Sequence, residues 1–581
     1  MKRTHNNGEL NISNLNEEVV LKGWVSKKRD LGGLVFIDLR DRFGITQLAF
    51  HPDSPLYEST LSIKSEFVLE IKGKVIERSS KNKKIPTGDI EVQVSTLNVL
   101  NASVLTPMLI QDDTDALEET RLKFRYLDLR RPVLQNNFIV RHKANMAVRE
   151  FMDKEGFIEV ETPILTKSTP EGARDYLVPS RINNGEFYAL PQSPQIFKQL
   201  LMISGFEKYY QIAKCFRDED LRSDRQPEFT QIDIETSFMD QDEILDVSER
   251  MIKSVMKKVK NIDLLEQFPR ITYKEAMDKY GVDKPDTRFG MHLVNITDIA
   301  AKTEFVVFTR NITDGGIVKA INVKNGASLY SRKGIDKLTD YVKKFKAKGL
   351  AFLKYNEVLS GSIIKFLDET IQKEIIERTN LEQGDLLLIV SDKTSVVNQS
   401  LGNLRNHIAK EQKLYSNDDY DFLWVIDWPM FEYKDEHERF FSLHHPFTMV
   451  QETDLKYLDT KPEKALAYCY DLVVQGQELG GGSVRIHKEE IQNKVFDILG
   501  ISKEEQQAKF GFLLDALKYG TPPHGGIAFG FDRLIMLLVH TENIRDVVAF
   551  PKTNSAQCLL TEAPSKVAEE QLKELSIKTI K

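Results

Sequence analysis

The sequence predicts an α+β multidomain chain: a small N-terminal β-barrel, then an antiparallel sheet flanked by helices, with an α+β block inserted into that sheet. Three observations predict it. Short β runs broken by polar turns fill roughly the first 100 residues. From residue 119 helical spacing alternates with longer apolar strands. Between residues 290 and 410 the texture changes again, and the earlier pattern resumes at Phe422-Leu423-Trp424-Val425-Ile426.

Taken in order, residues 19–25, 33–39, 44–50, 66–76 and 90–99 read as strands. Five strands in about 100 residues suit an OB-like barrel, although alternation alone also permits another small barrel. Pro107 and Asp112-Asp113-Thr114-Asp115 mark a connector. A helix is expected over 133–154, from Leu134, Phe138, Ala144, Ala147, Val148 and Phe151, with Gly156 as its stop. Phe157 to Pro163 reads as extended. Residues 186–190, 209–216 and 228–238 look like central antiparallel strands, and 241–260 like a helix. In the inserted block Leu293–Ile299, Glu304–Asn311 and Leu386–Val390 are strand-like, and Tyr341–Lys348 is helical in pattern and rich in lysine. The expected boundaries are 1–105 for the barrel, 106–130 for the connector, 131–287 and 413–581 for the sheet domain, and 288–412 for the insertion.

At 581 residues the chain is long enough for several domains, and 41% apolar with 29% charged residues is ordinary for a globular protein. No apolar run reaches the roughly 18 residues of a membrane span. Met1-Lys2-Arg3-Thr4-His5 lacks the apolar core of a secretory signal. Cys215, Cys469 and Cys558 cannot build a disulfide framework, and they suit a reducing compartment. A cytoplasmic protein without membrane contact is expected. A net charge of −7 argues against an always-basic duplex binder. Locally, Lys22, Lys27, Lys28, Arg29, Arg40 and Arg42 could still meet phosphate.

Two segments carry most of the chemistry. Cys215-Phe216-Arg217-Asp218-Glu219 leads through Asp224-Arg225-Gln226-Pro227 to Phe229-Thr230-Gln231-Ile232-Asp233. A strand, a charged loop and a returning strand can hold a nucleotide, with Arg217 gripping phosphate and Phe229 stacking on a base. A surface hairpin of ion pairs is the plain alternative. Downstream, Gly525-Gly526-Ile527-Ala528-Phe529-Gly530-Phe531-Asp532-Arg533 runs into an apolar helix. An arginine in a first helical turn opposes the helix dipole unless an anion faces it; pairing with Asp532 is the alternative. There is no P-loop lysine motif. Asp471 and Glu478, before Gly480-Gly481-Gly482 and Arg485, can offer oxygen ligands to Mg²⁺, or can be two surface acids. His444-His445-Pro446 does not complete a zinc site and fits substrate contact or gating. Lys167 to Asp175 reads as a polar lid. No nucleophile elbow is present.

Together these segments resemble the bacterial aspartyl-tRNA synthetases, within the class II aminoacyl-tRNA synthetases, over nearly the whole chain. Phe157–Leu165, Phe216–Asp233 and Gly526–Arg533 look like the three class II motifs. Thr169–Asp175 is similar to the mobile lid, Gln192–Gln199 to the amino-acid-binding segment, and Gly480–His487 to the aspartate-recognition stretch. The resemblance implies an OB barrel that reads the anticodon, a six-stranded antiparallel catalytic sheet and a homodimer. It implies that ATP, as substrate, and L-aspartate give aspartyl-adenylate with Mg²⁺, and that aspartate then passes to tRNA-Asp. Whether tRNA-Asn is also charged stays open. ATP contacts implied by position are Arg217, Glu219, Gln226, Phe229, Glu478, Gly530, Phe531, Asp532 and Arg533. Those implied for aspartate are Glu171, Ser193, Gln195, Lys198, Arg217, Gln231, Asp233, His444 and Arg485. Catalytic roles fall to Arg217, Arg533 and Glu171, metal ligation to Asp471 and Glu478, and anticodon contact to Arg29, Phe36, Gln47 and Glu91. Asparaginyl- or lysyl-tRNA synthetases share this layout. A catalytically dead RNA-binding relative is the alternative from another class, and the complete Arg217, Glu219, Asp471, Glu478 and Arg533 set argues against it.

Overall fold

The computed structural model describes residues 1–169, 173–264 and 266–580. They fall into two compact units, one of residues 1–142, 221–226 and 543–567, the other of 143–220, 227–542 and 568–581.

In the first unit five strands close a barrel: β1 (Glu18–Asp30), β2 (Val35–Asp41), β3 (Gly44–Phe50), β4 (Val68–Glu77) and β5 (Ile90–Asn101), in the order β1-β2-β3-β5-β4. Alternation sets its two faces. Val35, Ile37 and Leu39 of β2 point inward with Val19, Leu21, Leu48, Phe50, Ile71 and Val92, all fully buried. Phe36 and Asp38 therefore point outward. The run of cations at 22–42 is not one phosphate-facing patch. Lys22 pairs with Glu70 at 2.9 Å, Arg40 with buried Glu66 at 2.9 Å, and Lys28 donates to the carbonyls of Thr60, Leu61 and Ile63. Lys27 and Arg42 stay exposed.

The second unit is built on an eight-stranded sheet: β6 (Ile158–Glu159), β7 (Lys208–Phe216), β8 (Glu228–Ser237), β9 (Arg270–Thr272), β10 (Phe422–Pro429), β11 (Leu466–Val474), β12 (Gln477–Val484) and β13 (His524–Gly530). The order is β9-β10-β11-β12-β13-β8-β7-β6. The six middle strands are antiparallel, as expected; the short edge strands β9 and β6 run parallel to their neighbours and make eight. Residues 187–189 do not join this sheet. They pair with Leu177–Pro179 in a ribbon of two strands, and Ala189 also bridges to Thr166. The extended segment at 157–163 is regular only over Ile158–Glu159. The helices expected over 133–154 and 241–260 are Pro132–Lys154 and Gln241–Lys260.

The inserted block has its own five-stranded sheet, and Leu386–Asp392 is its central strand. Leu386, Leu388 and Val390 pack on one face with Leu401 and Leu404, while Leu387 and Ile389 pack on the other with Phe308 and Ile371. Burial on both faces explains why that strand reads as an unbroken apolar run. The strand expected at 304–311 is instead the helix Val306–Thr313. Its β-branched residues Val306 and Val307 are exposed, while Phe305 and Phe308, three apart, meet edge to face at 4.8 Å. Leu293–Ile299 is strand only at Val294–Asn295 before a short helix begins, and the helix before the lysines at 344–348 ends at Lys343.

Arg405, on the helix Thr394–Gln412, is fully buried. It donates to the carbonyls of Asp286, Phe289, Gly290 and Met291, the segment that leads into the insertion. Arg405→Met should cost about 3 kcal/mol, because those carbonyls lose a charged donor. Calorimetry should then show an earlier melting transition; an unchanged transition would contradict this role.

Candidate active site

β8 carries Asp233 and Glu235 on one face, two residues apart, both fully buried. The adjacent β13 supplies Gly526 opposite Glu235. A Cβ at Gly526 would lie 2.1 Å from Glu235 Oε2, so only glycine lets the carboxylate lie there. Two cations close on this pair. Lys198, from the helix Gln195–Ile203, places Nζ 2.7 Å from Asp233 Oδ1 and 3.2 Å from Glu235 Oε2. Arg485 donates to both oxygens of Glu235, at 2.9 and 3.1 Å. Its remaining Nη1 donates to Ser483 Oγ at 2.7 Å and His445 Nε2 at 2.6 Å.

Burial drives the electrostatics. It pushes the Glu235 carboxyl up, but Arg485 and Lys198 outweigh it and hold the group at about 2. The Asp233 carboxyl goes the other way, since burial outweighs Lys198 and neighbouring Glu235 adds to the rise. Burial, with Arg485 and His444 nearby, pushes His445 well below the usual imidazole range. Neutral His445 can therefore accept a hydrogen bond from Arg485. Asp233 Oδ2 and Gln195 Nε2 are buried without a hydrogen-bond partner. An acceptor and a donor thus stand ready beside a charge-balanced quartet.

A second carboxylate pair lies on the β11–β12 hairpin. Asp471 pairs across the sheet with Gly481, and a Cβ there would meet Asp471 Oδ1 at 2.6 Å and Glu478 Oε1 at 3.4 Å. Asp471 is buried and its Oδ1 has no partner; His444 Nε2, at 3.8 Å, is beyond hydrogen-bond reach. Burial and the Glu478 charge push the Asp471 carboxyl well up. Burial lowers His444 to about 4. No cluster of three or more acidic, histidine or cysteine ligands occurs among the described residues. The set is two carboxylate donors facing one gap, which suits a hard cation that takes its remaining oxygens from ligand or water.

Arg217 and Arg533 line the same unit. The Arg217 guanidinium lies over the Phe229 ring, 5.0 Å from its centroid. Arg533 follows β13 in the helix Phe531–Val539 and donates to the carbonyl of Glu478. Asp532 Oδ2 accepts from Thr230 N at 2.7 Å, tying the helix to β8. Phe531 is buried, Gly530 pairs with Gln231, and the Gln231 amide oxygen accepts from Cys215. Ser193 Oγ accepts from Gln195 N at 3.3 Å. Glu219 is partly exposed just beyond β7. Gln226 belongs to the first unit, where its amide pairs twice with the backbone of Lys552, at 3.0 and 2.7 Å. Glu171 lies outside the described residues. Residues 167–169 and 173–175 of the lid are described: Ser168 Oγ donates to Asp175 at 2.7 Å, and the Ala173 backbone exchanges two hydrogen bonds with Gln192.

On the barrel, the four expected residues come together. Arg29 sits opposite Phe36 across β1–β2 and donates to Asp38 Oδ1 at 2.6 Å and Gln47 Oε1 at 3.0 Å. Gln47 donates to Glu91 Oε2 at 2.6 Å. Phe36 is partly exposed beside them and outside the barrel core.

The family described as tRNA synthetases class II (D, K and N) matches residues 117–554, and that described as OB-fold nucleic acid binding domain matches 19–100. The chain belongs to the class II tRNA synthetases. It is 58% identical over 580 residues to the aspartate–tRNA ligase of Macrococcus caseolyticus, covering 99% of this chain and 98% of that one. It is also 58% identical over 582 residues to the aspartate–tRNA(Asp/Asn) ligase of Bacillus cereus (strain ATCC 10987 / NRS 248), with the same coverage. The crystal structure of asparaginyl-tRNA synthetase from Pyrococcus horikoshii complexed with asparaginyl-adenylate shares the fold, with a TM-score of 0.58 at 20% identity over 93% of this chain and 96% of that one.

Glu235 and Asp38 are polar members of these sites that motif reading passes over. For Glu235 the signal was present, since Asp233-Ile234-Glu235 alternates onto one face. Because Glu235 has a folded pKa below the unfolded value near 4.5, its charge stabilises the fold above pH 4.5, and that contribution fades as pH falls towards 2. Glu235→Gln should therefore lower the melting temperature at pH 7 but lose less than wild type between about pH 5 and about pH 3.5. Parallel acid-limb melting curves for the two proteins would contradict the ion network.

Proposed function

We propose that this class II synthetase is an aspartate–tRNA ligase, which activates L-aspartate with ATP and then aminoacylates tRNA-Asp. The observation that carries this reading is the buried Lys198–Asp233–Glu235–Arg485 quartet. The aspartate side-chain carboxylate approaches Lys198 and Arg485. The ammonium donates to the free Oδ2 of Asp233, beside Ser193 and Gln195, and Gln231 and His444 complete the pocket. With the ammonium engaged by Asp233, asparagine would offer Lys198 and Arg485 a neutral amide where aspartate supplies the balancing negative charge. That poor pairing costs about 2–5 kcal/mol, or roughly 30- to 5,000-fold.

ATP lies across β7, β8 and β13. Arg217 holds its phosphates and Arg533 faces them from the helix start, while the base stacks on the Phe229 face that Arg217 leaves free. Glu219, Gly530, Phe531 and Asp532 shape that side of the site. An α-carboxylate oxygen of aspartate attacks the α-phosphorus; the bond to pyrophosphate breaks and aspartyl-adenylate forms. The terminal ribose hydroxyl of tRNA then attacks the acyl carbon, and AMP leaves. Two anions meet in the first step, so charge neutralisation and alignment, not a protein nucleophile, supply the catalysis. Asp471 and Glu478 would hold Mg²⁺, which supplies positive charge to the polyphosphate. Glu171 acts from the lid over the bound amino acid.

The barrel patch of Arg29, Phe36, Gln47 and Glu91 reads the anticodon. A cytoplasmic homodimer fits Ile158, Ile164 and Leu165, which are exposed along the first motif. The Asp/Asn name of the Bacillus cereus relative favours a second reading, in which tRNA-Asn is aspartylated too.

Amino-acid-dependent ATP–pyrophosphate exchange tests the core proposal: aspartate alone of the natural amino acids should support it, and exchange driven by asparagine or lysine instead would overturn it. Charging of purified tRNA-Asp and tRNA-Asn separates the two readings. Phe36→Ala should leave exchange nearly intact and cut tRNA charging, since one base stack contributes about 1–3 kcal/mol. A variant that melts like wild type and charges tRNA normally would remove Phe36 from the interface.

A further inference from the structure

The segment between the helix Tyr273–Lys279 and the insertion carries Asp283-Lys284-Pro285-Asp286. It is held firmly. Arg288 pairs with Asp286 at 2.7 Å, Thr287 donates to Asp421 at 2.6 Å, and Arg405 grips the backbone from the insertion. That grip delivers one ammonium to the Asp471–Glu478 pair. Lys284 Nζ lies 3.5 Å from Glu478 Oε2 and 2.7 Å from Asp283 Oδ2. Asp471, buried and with Oδ1 unpartnered, faces the same gap.

Three carboxylates against one ammonium leave a formal surplus of two negative charges, which one divalent cation cancels. Such a cation on Asp471 and Glu478 would face the Lys284 ammonium at short range, and like charges repel strongly where water is partly excluded. A triphosphate brings more negative charge than one divalent ion neutralises. It therefore offers Lys284 a new partner when the old one is taken.

We infer that Lys284 is a resident cation of this site: it occupies the metal side of the Asp471–Glu478 pair before the nucleotide arrives, opposes binding of free divalent ion, and turns to the ATP phosphates when metal and nucleotide bind together. This rests on the assignment of Asp471 and Glu478 as the metal pair. It also gives the insertion a mechanical part in the chemistry, since Arg405 fixes the backbone that aims Lys284.

The test uses Mn²⁺ alone, titrated into the nucleotide-free full-length protein and followed by the electron paramagnetic resonance signal of the free ion. Lys284→Met should bind Mn²⁺ roughly tenfold more tightly than wild type, and Lys284→Arg, which keeps the charge, should stay within about twofold of it. In exchange assays the methionine variant should show a KM for Mg-ATP raised about tenfold with the aspartate KM unchanged, because Lys284 contacts only the nucleotide. Melting curves confirm that both variants fold, and Lys284→Gln replaces the methionine variant if it does not. Unchanged or weaker Mn²⁺ binding in the neutral variant overturns the inference. Asp471→Asn combined with Glu478→Gln should remove the Mn²⁺ binding. If that double variant titrates like wild type, the metal assignment itself fails, which separates the two outcomes.

Discussion

The ion network of Lys198, Asp233, Glu235 and Arg485 constrains most of the second unit. Four charges are fully buried there, and each is tolerable only because the others sit within hydrogen-bond reach. Removing any one leaves an uncompensated buried charge, at a cost of about 3–5 kcal/mol. The network fixes sequence far from itself. Gly526 must lack a side chain because Glu235 lies against it, and His445 must stay neutral to accept from Arg485.

The sheet register turns that constraint into a site. β8 and β13 are neighbours, so the arginine-bearing segments from the middle and the end of the chain share one surface. On the far side of β13, β12 runs into Arg485 and, with β11, holds the Asp471–Glu478 gap. The proposed polyphosphate and amino-acid sites thus stand side by side on adjacent antiparallel strands. Neither needs a P-loop or a covalent nucleophile.

Much of this was legible from local pattern. The barrel strands, the long helices and β7, β8 and β10 show clear periodicity, because each has one face or both faces in a core. What misled was burial that only tertiary structure decides. Phe305 to Phe308 has strand-like composition, yet packs as a helix on a sheet already complete. Residues 187–189 alternate like a central strand, yet their hydrogen-bond partner is a local ribbon. Lys28 and Arg40 look like phosphate-binding cations, yet are consumed inside the barrel. Among site residues, those inside glycine- or arginine-rich motifs stood out. Glu235 was visible through alternation with Asp233. Lys284 was not, because its proximity to Glu478 arises only from folding.

On the proposed function, Arg485 serves the amino acid's carboxylate and not the nucleotide. The direct measurement is ATP–pyrophosphate exchange by folded Arg485→Leu, with aspartate and ATP titrated separately. The aspartate KM should rise by about 100-fold or more, with the ATP KM within about threefold of wild type. Equal losses for the two substrates, or an unchanged aspartate KM, would contradict it.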